Sequence, residues 1–233
     1  VKRFYKAVAT RLQDDGWRVT LDERLVKTAG RNPQALPTRA LCEALAAEWA
    51  AQGDKIDPHG FPLRDLADYA IDVAAGEARA ALVDEIAAYA DTDTLCYRAD
   101  PDEPLYPRQV AGWEPLLLEA ERRYAVKFVR VSGVMHRPQP AETLARLHAA
   151  VAAQDAFALA ALRMLTSLSA SLVIALAAIE ADADGDRLWQ AANLEEDWQA
   201  ENWARDAEAE DLRATRQAAF ALAMRFAALA RAA

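Results

Sequence analysis

Cys96 lies in the stretch "YADTDTLCYRAD", Tyr89 to Asp100, among acids, hydroxyls and aromatics, the residue types from which nucleophilic and metal sites are built. A cysteine becomes a nucleophile when a helix N-terminus or an imidazole lowers its pKa. No such partner is at hand locally. His59, His136 and His148 are far apart and form no HExxH or HxH pair. Cys42, the second cysteine, is 54 positions from Cys96 and no CxxC occurs, so neither a disulfide framework nor a cysteine-rich zinc site is indicated. Both thiols read as small buried hydrophobes. Around Gly185, "EADADGDRLWQA" sets Glu180, Asp182 and Asp184 at positions one, three and five of a calcium loop, but Ala191 stands where the bidentate Glu is required. A solvated turn between helices explains those acids better. There is no glycine-rich phosphate loop and no GxSxG. No catalytic residue, metal ligand or cofactor is therefore assigned.

A different chemistry is offered by "LEEDWQAENW", Leu194 to Trp203. On a helix, Leu194, Trp198 and Glu201 share one face, with Glu195, Gln199 and Asn202 as a polar stripe beside it. That is either an ordinary amphipathic helix packing its tryptophans or a protein-binding face, since aromatic anchors rimmed by polar groups form hot spots.

The 233 residues suffice for a sizeable core. With 27 Lys and Arg against 36 Asp and Glu, the net charge of −9 repels nucleic-acid phosphates and anionic lipid, and the bases occur as singles or pairs such as Arg122-Arg123. The longest uncharged run, Met164 to Ile179, falls short of the roughly 20 apolar residues that span a bilayer and reads as one buried helix. Membrane insertion is not expected. The cysteine usage points to a reducing compartment, and the Ala, Arg and Asp bias with no signal-peptide pattern at the N-terminus favours a bacterial cytoplasm over an organelle.

These candidates must be positioned by two kinds of structure. In the first 30 or so residues Trp17, Val19 and Leu21 alternate with Arg18 and Thr20, and Asp22-Glu23 makes a tight turn into Leu25 to Thr28, which predicts a small antiparallel sheet. After "NPQALP" the period becomes helical. Thr38 is placed as N-cap of a helix whose Leu41, Leu45 and Trp49 form a core stripe with Cys42, and Gly53 is a stop. Prolines 101, 104 and 107 make Thr92 to Tyr106 a loop. Pro115 puts the first turn of the next helix near Trp113-Glu114, and "VKFVRVSG" is a short strand. Helices follow to the end of the chain. The fold class is α+β: a small β domain over residues 1–37, then a helical domain over 38–233.

Several stretches, in one order, resemble a known family: "RFYK", "VTLDERLVKT", "LAAEWAAQGDKIDPHGFPLRDLADYAID", "YADTDTLCYRA" and "LEEDWQAENWARDAEAE". Together they resemble the ATP-twelve family, assembly chaperones of the F-type proton-translocating ATP synthase. The resemblance spans nearly the whole chain. It implies a small β domain before a larger helical one, and a non-enzymatic activity: binding the unassembled alpha subunit until the beta subunit replaces the chaperone. It implies no cofactor, a monomer, and a cytoplasmic location in bacteria, with relatives in the mitochondrial matrix. Trp49, Asp93, Cys96 and Tyr97 then belong to structural signatures, with "DTDTLCYRAD" a corner at a helix exit. Glu195, Glu196, Gln199, Glu201 and Trp203 are the expected client-binding residues. Ala204 departs from the glycine that usually follows this Trp in the family. An alternative remains, a small-molecule enzyme whose polar pocket forms only in three dimensions.

Overall fold

The computed structural model describes residues 1–133, 135–203 and 207–231, with the side chains of Trp203, Ala207 and Glu208 left aside. The chain forms two compact units. The first comprises residues 1–79, 155–161 and 225–233, and the second 80–154 and 162–224.

In the first unit, β1 (Val8–Gln13), β2 (Gly16–Leu21) and β3 (Arg24–Leu25) form an antiparallel sheet in the order β1-β2-β3. Both hairpins turn over two residues, and the second takes positive φ at Asp22 (47°) and Glu23 (70°), the backbone that matches strand twist in a tight hairpin. The strain at Asp22 is offset because its carboxylate accepts from the backbone N–H groups of Lys6 and Ala7. The expected alternation holds on only one strand face. Arg18 and Thr20 are buried as well as Val19 and Leu21, because β2 is the central strand and Arg18 donates to the carbonyl of Val26 at 3.2 Å.

Helix α1 (Arg39–Ala50) is capped by the Thr38 hydroxyl, which accepts from Leu41 N at 3.1 Å. Its Leu41, Cys42 and Leu45 are fully buried, and the helix packs on β1 and β2. That packing explains why the first compact unit runs on past residue 37: the sheet alone cannot bury its apolar face. The helix ends at Ala50, three residues before Gly53. Helix α2 (Pro62–Tyr69) continues into a π turn over Ala70–Ala74, closed by Ala75 N to Ala70 O. Asp68 and Asp72 at this junction accept from Ala29 N, Gly30 N, Thr28, Asn32 and Gln34, so the acids in "LRDLADYAID" clasp the 28–34 loop.

The second unit is helical apart from one short strand pair. Helix α3 (Arg79–Ala87, whose first residue still belongs to the first unit) leads through single 3-10 turns at 88–90 and 94–96 to β4 (Tyr97–Arg98). Helix α4 (Tyr106–Tyr124) starts seven residues earlier than Trp113. The start signal is Pro107, not Pro115. Pro107 occupies the first turn, where its missing N–H costs nothing, while Pro115 is interior and is tolerated because Trp113, Leu116 and Leu117 on either side are buried.

Strand β5 (Val131–Ser132) pairs in parallel with β4, and this is all of "VKFVRVSG" that pairs as a strand. Three of its other backbone groups are satisfied by side chains: Phe128 N by Glu121 at 2.9 Å, Val129 N by Gln139 at 2.8 Å, and Lys127 O by Thr143 at 2.7 Å. A strand propensity was present and the ladder was not. Helix α5 (Ala141–Ala152) follows.

The long apolar run is not one helix. It divides into α6 (Ala156–Ser169) and α7 (Leu172–Ala178) at Ala170, whose φ is 49°, and Ser171 caps the second piece by accepting from Ile174 N at 3.0 Å. Helices α8 (Gly185–Ala192), α9 (Leu194–Trp203) and α10 (Ala207–Arg231) complete the chain. The calcium-loop acids have other work: Asp184 caps α8 by accepting from Arg187 N, and Glu180 pairs with Arg123 at 2.7 Å. No helix among the described residues is long and apolar enough to cross a membrane.

Candidate functional site

The residues that the sequence singled out as a corner, and those it singled out as a binding helix, meet in the second unit. Tyr97, Arg98, Ala99, Gly133, Glu195 and Gln199 line one open groove of about 480 Å³ with Glu103, Leu105 and Gln109. Two elements make it. One is the β4 edge after the helix exit; the other is the first turns of α9.

At the corner, Asp93 is fully buried, with one carboxylate oxygen accepting from Leu95 N at 3.1 Å and the other from Val173 N at 3.0 Å. It ties the start of the corner to the first turn of α7. Thr94 donates its hydroxyl to the carbonyl of Ala170 at 2.9 Å. Cys96 is fully buried, and burial pushes its thiol well above the ordinary range, so it is an inert packing residue here. Cys42 is in the same position, raised to about 12 by burial. Tyr97 turns outward, its hydroxyl 2.8 Å from His136 Nδ1, while His136 Nε2 lies 3.7 Å from Asp91.

Burial raises Asp93 to about 6, against the pull of the Val173 and Leu95 N–H groups and the Ser171 hydroxyl. A carboxyl that is more basic when folded takes up a proton on folding, so its contribution to stability grows as pH falls through 6 and is fully present below about 4. Urea unfolding of the wild type at pH 5 should therefore show about 1–1.5 kcal/mol more from this group than at pH 7. Asp93→Asn should lack that increment. An identical pH dependence in the variant would mean that Asp93 does not titrate in this window.

On α9 the acids are not free. Gln109, itself fully buried, donates to Glu195 at 2.7 Å and accepts from Ala99 N at 2.8 Å, so one amide joins α9 to the corner. Arg108 pairs with Glu201 at 2.6 Å and its guanidinium stands 4.6 Å from the centre of the Trp198 ring. Glu196 pairs with Arg216 at 3.0 Å and Asp197 with Arg213 at 2.9 Å, both from α10. Gln199 is exposed on the groove. Trp203 ends α9, and its side chain, like Ala204, lies outside the described residues.

The corner is held to α4 by a relay of charges. Arg98 donates to Glu114 at 2.6 Å, Glu114 also takes Arg130 at 2.7 Å, and Arg130 reaches Glu121. Burial opposes ionisation of both carboxyls, but the guanidiniums outweigh it and hold Glu114 and Glu121 below the usual range.

Sequence reasoning missed Arg108, Gln109 and Glu103. Their only signal was position: Arg108 and Gln109 in the first turn of α4, and Glu103 in the proline-rich loop before it. Trp49, by contrast, is where the stripe placed it, buried between Tyr5 and Phe61 with ring centroids 5.6 and 4.5 Å away. Among the described residues no group of three or more His, Cys, Asp or Glu is arranged to hold a metal ion. What the groove offers is amide, carboxylate and aromatic groups on a helix edge, a recognition chemistry.

The profile of the family "ATP12 chaperone protein" matches residues 2–121, just over half of the chain. The chain belongs to the ATP12 chaperone family. Its fold is similar to the crystal structure of Atp12 from Paracoccus denitrificans, with 39% identity, a TM-score of 0.93, and coverage of 99% of this chain and 98% of that one. The Atu1473 protein of Agrobacterium tumefaciens matches at 36% identity and TM-score 0.90, over 97% of this chain and 85% of its own. The mitochondrial protein atp12 of Schizosaccharomyces pombe is 23% identical over 205 residues, 83% of this chain and 70% of that protein. The family expectation drawn from the scattered motifs is thus met, as is the α+β fold class with the sheet first.

Proposed function

We propose that this chain, a chaperone of ATP synthase assembly by its family, binds the unassembled alpha subunit of the catalytic sector and releases it to the beta subunit. The observation that carries the reading is the groove in which the "TDTLCYRA" corner and α9 converge, because both stretches belong to the family resemblance and neither holds a nucleophile with its base. An unassembled subunit exposes apolar interface, and reversible cover of that surface suppresses aggregation. Glu195, Glu196, Gln199, Glu201 and Trp203 are the client-binding residues of this proposal. Release follows competition by the partner subunit, with the chaperone acting as a monomer in the cytoplasm. The small-molecule enzyme reading draws no support from this groove: Cys96 is buried beneath it and His136 does not line it.

Light scattering of refolding alpha subunit, with equimolar chaperone and no nucleotide, tests the reading. Aggregation should be suppressed, and addition of beta subunit should reverse the capture; unchanged scattering would end the proposal. The site is tested separately. Glu201→Lys should weaken capture roughly tenfold, about 1.4 kcal/mol, while costing under about 1 kcal/mol of stability, since its pair with Arg108 is half exposed. The exchange Arg108→Glu with Glu201→Lys rebuilds the internal pair. If it remains weak, the carboxylate itself meets the client. If it recovers, Glu201 acts only by docking α9, and the residue leaves the interface.

A further inference from the structure

The first unit carries a feature that the groove of the second does not use. Phe4 is 67% exposed and Leu25 is 41% exposed, and both line a cleft of about 480 Å³ floored by Leu21, Val26 and Trp49. The exposure of Phe4 is built in, because the residues on either side of it are fastened: Arg3 N donates to Asp54 O at 2.9 Å and its guanidinium to Gln52 O, and the Tyr5 hydroxyl donates to Trp49 O at 2.6 Å. A phenyl ring held in solvent beside an apolar cleft costs hydration free energy that a partner would recover. The indole N–H of Trp49, which lines the cleft, has no acceptor among the described residues.

The charge around the cleft is mainly positive. Arg24 and Lys27 line it, are exposed, and form no ion pair among the described residues. The one acid in the lining, Asp22, keeps its charge while accepting from the N–H groups of Lys6 and Ala7, so two cations face one carboxylate there. The local sequence has the same bias: residues 1–37 hold eight Lys or Arg against four Asp or Glu, net +4, in a chain of net −9. The remainder therefore carries −13.

We propose that this cleft is a second docking site for polypeptide, selective for an extended acidic segment that carries a large apolar side chain. The apolar residue seats against Phe4, Leu25 and the cleft floor, and flanking carboxylates meet Arg24 and Lys27. A concave pocket of this size takes a side chain, whereas a flat bilayer surface reaches only its rim and is repelled by the charge of the remaining chain. The proposal extends the chaperone reading without depending on which subunit is the client.

Fluorescence anisotropy with the full chain and a labelled peptide, Gly-Glu-Glu-Leu-Phe-Glu-Glu-Gly, tests it. Binding should be saturable and weaken with salt. Replacing the four Glu by Lys, or Leu-Phe by Ser-Ser, should each weaken it roughly tenfold or more. On the protein, Arg24→Glu with Lys27→Glu, and separately Phe4→Ser, should do the same with unchanged melting temperatures, because all three side chains are exposed. The proposal is overturned by equal binding of the three peptides, by indifference to both variants, or by binding to phosphatidylserine vesicles and not to peptide. It is equally overturned by concentration-dependent self-association that the charge reversal abolishes, which would place a second copy in the cleft.

Discussion

Glu121→Ala is expected to lower the free energy of unfolding by about 3–5 kcal/mol. Glu121 is on the inner face of α4 and only 6% exposed, and its two oxygens serve three donors: Arg130, Phe128 N at 2.9 Å and Lys127 at 3.0 Å. Truncation leaves a buried backbone N–H without an acceptor and a partly buried guanidinium with only Glu114 and the Phe128 carbonyl. The Lys127 pair adds little, since that side chain is 83% exposed. Urea unfolding at pH 7.5 measures the loss. Glu121→Gln separates its parts, because the amide oxygen can still serve Phe128 N while the charge opposite Arg130 is gone; an intermediate loss is expected. A cost under about 1 kcal/mol for the Ala variant would show that the relay from Arg98 through Glu114 and Arg130 does not hold the corner. The pH sign is opposite to that of Asp93. Glu114 and Glu121 titrate below their unfolded values, so their stabilisation is complete above about pH 4.3 and disappears as pH falls through the lower folded values. Acid should thus strengthen the Asp93 contribution before it dismantles the relay.

Trp113→Ala is expected to cost about 3–5 kcal/mol, enough to unfold a marginal domain. Trp113 is fully buried and its indole N–H donates to the carbonyl of Ala191 at 2.8 Å, joining α4 to the last turn of α8. The substitution removes the ring and leaves a cavity, and the carbonyl loses its donor. Trp113→Phe keeps most of the volume and loses only the hydrogen bond, so about 1–2 kcal/mol of loss is expected there. Thermal and urea unfolding of both variants check the pair of values. Equal losses would mean that the hydrogen bond, not the packing, carries the residue's effect. Because α9 begins two residues after α8 ends, Trp113→Phe should also reduce client capture slightly if the groove depends on this anchor.

What was legible in the sequence was local. The Asp22-Glu23 turn, the Thr38 cap and the Leu41-Leu45-Trp49 stripe each declare themselves within a few residues, because hairpin turns, caps and helical faces are set by short-range geometry. The motif order sufficed for the family, and the isolation of Cys96 from any imidazole sufficed to make it a packing residue. The candidate site was legible only in halves. "TDTLCYRA" and "LEEDWQAENW" were each picked out, but nothing in either stretch says that Gln109 bridges them or that Arg108, Arg213 and Arg216 claim the acids of α9. Those contacts join residues 10 to 93 positions apart. The same limit explains the errors: Pro115 reads as a helix start unless buried neighbours hold the helix through it, the apolar run reads as one helix unless Ala170 turns left-handed, and "VKFVRVSG" reads as a strand until Gln139 and Thr143 take its backbone groups. The sequence by itself determined the Asp22-Glu23 hairpin, the cap and core stripe of α1 and the family, since caps, periods and motifs act over a few residues. Only the tertiary structure decided which charges are paired internally, as at Glu196 and Glu201, and which, as at Arg24 and Lys27, form no ion pair among the described residues, because that choice is made by packing between elements distant in the chain.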